Sequence, residues 1–104
     1  MLQFIKNMLD GSKIDYKALL SKGAIIIDVR TPGEFADGNI KGSRNIPINI
    51  LKNKMAELKR IGKPVITVCA SGARSGMAKS LLQMEGIEAY NGGSWGSLNK
   101  KISV

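Results

Sequence analysis

There is no histidine among the 104 residues of this chain, and there is one cysteine. The first absence removes every Ser-His-Asp or Cys-His nucleophile pair, because no imidazole is present to take a proton. The two together leave no zinc set built from the usual ligands. A lone thiol excludes a disulfide framework within the chain, and with no secretory leader read at the start a cytoplasmic location is expected. Aromatics are scarce, at 5%, and do not interleave with basic residues as on a single-strand nucleic-acid platform. Long apolar runs are missing too: the opening "MLQFIKNML" is broken at Lys6 and Asn7 before it could become a membrane span. Neither nucleic acid nor membrane is therefore an expected partner. Acidic residues are few, eight against sixteen Lys plus Arg, and the net charge of +8 favours an anionic partner without naming it.

What is present is enough for one domain, residues 1–104, with 1–11 read as an N-terminal amphipathic extension. "IDYKALLSKG" predicts a short helix capped by Asp15, with Tyr16, Leu19 and Leu20 inward and Gly23 as its stop. "AIIIDVR" predicts a strand covered on both faces, since its β-branched residues run together without alternation. "TPGEF" restarts a helix with Thr31 as cap, Pro32 at the first helical position and Glu34 in the first turn. "SRNIP" reads as a short strand. Leu51, Met55 and Leu58 give helical spacing over 48–61, closed by Gly62 and Pro64. "PVITVC" is a second buried strand, "SGMAKSLLQMEG" a helix turning Met77, Ala78, Leu81, Leu82 and Met84 to the core, and "IEAY" a last strand. Gly92, Gly93 and Trp95 introduce a short helical turn. Strands alternating with helices predict an α/β domain: a mainly parallel sheet of about five strands with helices on both faces.

Ligands of such sheets bind beyond the carboxyl ends of the strands, and Cys69 stands at one of those ends. It opens the run Cys69, Ala70, Ser71, Gly72, Ala73, Arg74, Ser75, which leads into a helix. The small side chains allow several backbone N–H groups to turn toward the sulfur, the helix N-terminus adds positive potential, and Arg74 adds a permanent charge. Such surroundings bring a free thiol from about 8.5 to between about 3.5 and 7.5, so a thiolate at neutral pH needs no histidine. A cysteine that ends an apolar strand is also a common small core residue, and the sulfur's surroundings decide between the two. Asp28 and Arg30 read as structural support, an ion pair tying a strand end to nearby loops, and Trp95 as a packing residue.

Three stretches carry a family resemblance. "IIIDVRTPGEFADGNIKGSRNIP", "CASGARS" and "GGSWGSL" stand in the order found in single-domain rhodanese-like sulfurtransferases, and the chain resembles that family from about Asp15 to Leu98. The resemblance implies a rhodanese-like three-layer fold and a persulfide on Cys69. It implies a sulfurtransferase of the thiosulfate sulfurtransferase type: a small anionic donor, thiosulfate or a persulfide, loads the cysteine, and cyanide, a small thiol or a protein thiol accepts the sulfur. The thiol chemistry so implied requires neither metal nor organic cofactor. The loop residues Ala70, Ser71, Gly72, Ala73, Arg74 and Ser75 would hold the anion, and a monomer is expected. Phosphatases of the same fold have Cys-x5-Arg, a ring sized for phosphate; here the spacing is Cys-x4-Arg. Phosphatase or arsenate reductase activity is thus the less favoured enzyme reading, and a non-catalytic sulfur-carrier or docking module is the alternative from another class. Where some members have a cation directly after the cysteine, this chain has Ala70, which implies a weaker hold on the sulfonate end of thiosulfate.

Overall fold

Chain segments rich in Ile and Val form the centre of the sheet, because neither face of those strands meets water. The protein is described by a computed structural model covering residues 14–103; the amphipathic helix expected near the start lies outside the described residues. Strand β1 (Ile25–Asp28) runs parallel to β3 (Val65–Cys69), with Ile25 opposite Val65 and Asp28 opposite Val68. All five residues of β3 are buried. The short β2 (Arg44–Asn45) pairs with β1, and β4 (Ala89–Ser94) with β3, giving the order β2-β1-β3-β4, parallel throughout. Four strands are present among the described residues where about five were expected.

Parallel neighbours require crossover connections, and these supply the helices that cover the sheet. Side chains alternate along each strand. Ile27, Val65 and Cys69 therefore face one layer, made by a 3-10 segment (Ile48–Lys54), helix α3 (Met55–Ile61) and helix α4 (Ala73–Met84), through Leu51, Met55, Leu58, Ala78 and Leu82. Ile26, Ile66 and Val68 face the other layer, which helix α1 (Tyr16–Ser21) and helix α5 (Trp95–Ser103) build with Leu19, Leu20, Trp95 and Leu98. Helix α2 (Pro32–Ala36) begins with a full capping box: the Glu34 N–H donates to Thr31 Oγ1 and the Thr31 N–H to Glu34 Oε1.

The structure corrects several expectations. Residues 48–54 wind as a 3-10 segment and the α-helix starts only at Met55; Asn49 and Asn53, which compete for backbone hydrogen bonds, weaken α-helix there. Met77 and Met84 do not enter the core but stand 61% and 80% exposed. Seven residues apart, they share a stripe of α4 that Ala78 and Leu82 do not, and a helix on a sheet buries only one stripe. The last strand runs to Ser94 rather than ending at Tyr90, and the expected turn after it is a helix of nine residues. Leu98 and Ile102, at helical spacing from Trp95, give that helix its inner face.

Gly92 explains how β4 passes the site. A Cβ at that position would stand 2.9 Å from Ile66 Cγ2 and 3.0 Å from the Thr67 carbonyl oxygen. No side chain fits, and the β3–β4 register shifts between Thr67 and Cys69 at that level.

Candidate active site

β3 ends on Cys69, and the chain must reverse at once to start α4 above the sheet. Gly72 makes that turn as the N-terminal cap residue of α4, at φ +104°, a backbone region that side chains disfavour. The turn brings main-chain donors onto the sulfur. The Gly72 N–H donates to Sγ at 2.9 Å and the Ser75 N–H at 3.4 Å, while the Ser75 hydroxyl lies 3.3 Å from it. Burial by itself would push the Cys69 thiol up. Hydrogen bonds from the Ser75 hydroxyl and from the N–H groups of Ser75, Gly72 and Ser71 outweigh it, and the thiol is held below its ordinary 9.0.

The thiol is wholly covered. Gly72 closes on one side of the sulfur and the buried Ser75 on another. Ala70, Ser71 and Ala73 form the exposed rim of the loop.

Arg74 does not point its charge at the sulfur alone. Its guanidinium makes a two-point pair with Glu34, Nη1 to Oε1 at 2.7 Å and Nη2 to Oε2 at 2.9 Å. The Arg74 hydrogen bonds, with help from the Thr31 N–H, bring the Glu34 carboxyl from its ordinary 4.5 to about 2. Arg74 thus ties the loop to α2, while hydrogen bonds from the loop are what lower the thiol against its burial. Glu34 was legible in the sequence only as a capping residue. Its partner lies forty positions away, and no local pattern joins them.

Asp28 and Arg30 form a buried ion pair at the end of β1, Arg30 Nη2 lying 2.7 Å from Asp28 Oδ2. Arg30 also donates to the carbonyls of Gly38 at 2.7 Å and Glu34 at 3.2 Å, and its guanidinium carbon stands 4.8 Å from the centre of the Trp95 ring. Removing one partner of such a pair strands a buried charge, and the pair with its carbonyl contacts joins the end of β1 to the segment from Glu34 to Gly38. Thr67, one turn of the pleat before Cys69, is also fully buried and donates to the Ser75 carbonyl at 2.7 Å. Nothing in the sequence marked Thr67 or Asn91, whose side chain makes two hydrogen bonds to the loop and one to Gly93 on its own strand.

The chain is 46% identical over 69 residues to an uncharacterized protein, YqhL, of Bacillus subtilis, covering 65% of this chain but only 54% of that relative. It thus spans about half the length of that protein. It is 35% identical over 75 residues to the thiosulfate sulfurtransferase GlpE of Stutzerimonas stutzeri, covering 71% of this chain and 68% of the other. Among solved structures, a rhodanese-like domain protein from Staphylococcus aureus superposes with a TM-score of 0.69 at 31% identity, covering 81% of each chain. The rhodanese-like domain model matches residues 12–96, which include both the Cys69 loop and the Glu34 that clamps it, and the chain belongs to that family.

Proposed function

We propose that this protein is a sulfurtransferase that carries a sulfane sulfur as a persulfide on Cys69. The observation that carries the reading is the convergence of the Gly72 and Ser75 N–H groups and the Ser75 hydroxyl on one sulfur. In the first half-reaction the Cys69 thiolate attacks the outer sulfur of thiosulfate or of a persulfide donor. The donor's S–S bond breaks, and sulfite or a thiolate leaves with the electron pair. In the second, cyanide, a small thiol or a protein thiol attacks the outer sulfur of the Cys69 persulfide, which returns Cys69 to the thiolate. This is two-step covalent catalysis. The loop from Ala70 to Ser75, once closed over the persulfide, stabilises negative charge on the terminal sulfur through its backbone donors, and Arg74, braced by Glu34, holds the closed form.

Because Sγ is covered, the donor reaches it when the loop lifts, with Gly72 as the pivot its positive φ allows. The four residues between Cys69 and Arg74 favour a single sulfur over a phosphoryl group as cargo. We infer a monomer in the cytoplasm, drawing on a positively charged surface to attract anionic donors.

Complete burial of the thiol favours one second reading, a rhodanese-like module that docks on a partner without carrying sulfur. Intact mass after thiosulfate treatment decides between them. The gain of one sulfur atom, lost in Cys69→Ala, supports the carrier, and no gain under conditions that load a persulfide elsewhere supports the docking module.

A further inference from the structure

The residues that touch Cys69 are themselves held from β4 by one side chain. Asn91 Oδ1 accepts from the Ser75 hydroxyl at 2.7 Å and from the Gly93 N–H at 2.9 Å, and its Nδ2 donates to the Gly72 carbonyl at 3.1 Å. Its own carbonyl accepts from the Tyr16 hydroxyl on α1 at 3.0 Å. The amide has one orientation that suits these partners: an N–H on one side requires the oxygen, and a carbonyl on the other requires the NH2. A Cβ at Gly76, in the first turns of α4, would come within 3.2 Å of Nδ2, so the helix leaves room for this amide.

We propose that Asn91 is a positioning residue for the sulfur site: from β4 it fixes Gly72 and Ser75, two of the residues whose donors converge on Cys69, without touching the sulfur. The role rests on the reading of Cys69 as the sulfur carrier. Ser75 has one hydroxyl hydrogen, and at rest Asn91 takes it. The oxygen lone pair then faces Sγ and accepts from the thiol hydrogen. When the thiol proton passes to solvent, the Ser75 hydrogen turns to the sulfur. Asn91 keeps its bonds to Gly72 and Gly93, and the loop stays in place around the anion.

The charged groups around the sulfur come in pairs: Arg74 on α4 with Glu34 on α2, and Asp28 with Arg30 at the end of β1. β4 brings Tyr90, whose hydroxyl is bonded to Glu88. None of them is bonded to the Asn91 side chain, so its replacement acts on the sulfur through Gly72 and Ser75.

The test is the pH titration of thiolate ultraviolet absorbance in the full chain, where Cys69 is the one thiol. Asn91→Ala frees the Ser75 hydrogen for the sulfur but releases Gly72, whose N–H makes the shortest contact on Sγ; the loss at Gly72 is expected to dominate and move the midpoint up. Asn91→Thr, whose β-branched side chain suits a strand and cannot bridge the same partners, is expected to do the same if the alanine variant folds poorly. Ser75→Ala is expected to raise the midpoint as well, and in that background, where no hydroxyl hydrogen is contested, Asn91→Ala should still raise it, by at least as much as in the parent, through Gly72. A midpoint that stays put or falls in both Asn91 variants, with only the melting temperature lowered, overturns the proposal and leaves Asn91 a strand residue. Sulfur loading of the parent by mass is read separately: failure to load with the titration shift intact sinks the carrier reading alone, whereas loading with no shift sinks the Asn91 role alone.

Discussion

Arg74 and Glu34, forty residues apart in the chain, meet in a two-point pair with both nitrogen–oxygen distances under three ångströms, at 2.7 and 2.9 Å. The pair joins the sulfur loop to the capping turn of α2, and the loop's shape depends on it. Lysine offers one ammonium where arginine offers a planar fork. Arg74→Lys is therefore expected to slow sulfur transfer from thiosulfate by about tenfold to a hundredfold, as misplacement of reacting groups does, while keeping the net charge. A variant with parental transfer rates would show that charge alone suffices.

The same pair predicts an acid response. The Glu34 carboxyl titrates near about 2 in the fold against an ordinary 4.5. A depressed carboxyl contributes stability that is present above the unfolded value and lost as pH falls through the folded one. The contribution should accordingly hold above about pH 4.5 and fade toward about pH 2. Glu34→Gln should melt below the parent at neutral pH, with the gap closing across that window; a gap constant with pH would remove Glu34 as its source.

For the thiol the direction is also downward, from an ordinary 9.0. Alkylation by iodoacetamide, followed by intact mass, should rise with pH along a single curve whose midpoint lies below that value. It should also run slower than for an unfolded peptide at the same thiolate fraction, because the sulfur is covered. A midpoint at or above 9.0 would mean that burial wins over the loop's donors.

Packing at β4 sets a further limit. Gly92→Ala places a Cβ within 3.0 Å of Ile66, Thr67 and Val68 atoms, and overpacking of this kind costs about 1–3 kcal/mol. Denaturant melts should show that loss. The variant should also disturb the Cys69 titration, since Cys69 lies opposite Ser94 two residues along the same strand.

Local chemistry suffices for much of this molecule. The β-branched runs of β1 and β3 can be buried only as central strands, Thr31 with Pro32 and Glu34 can only open a helix, and the small residues after Cys69 can only be a tight turn into one. These properties belong to neighbours in the chain, so the α/β class, the position of Cys69 at a strand end and the rhodanese resemblance are all legible without coordinates. What coordinates add comes from residues far apart. Met77 and Met84 are apolar yet exposed because the sheet covers only one stripe of α4. Glu34 reaches Arg74, and Asn91 reaches Gly72 and Ser75, across elements that the fold alone brings together. Whether the sulfur lay open or covered was likewise decided by the fold, because it depends on how closely one loop settles on one strand, and periodicity and spacing carry no such distance.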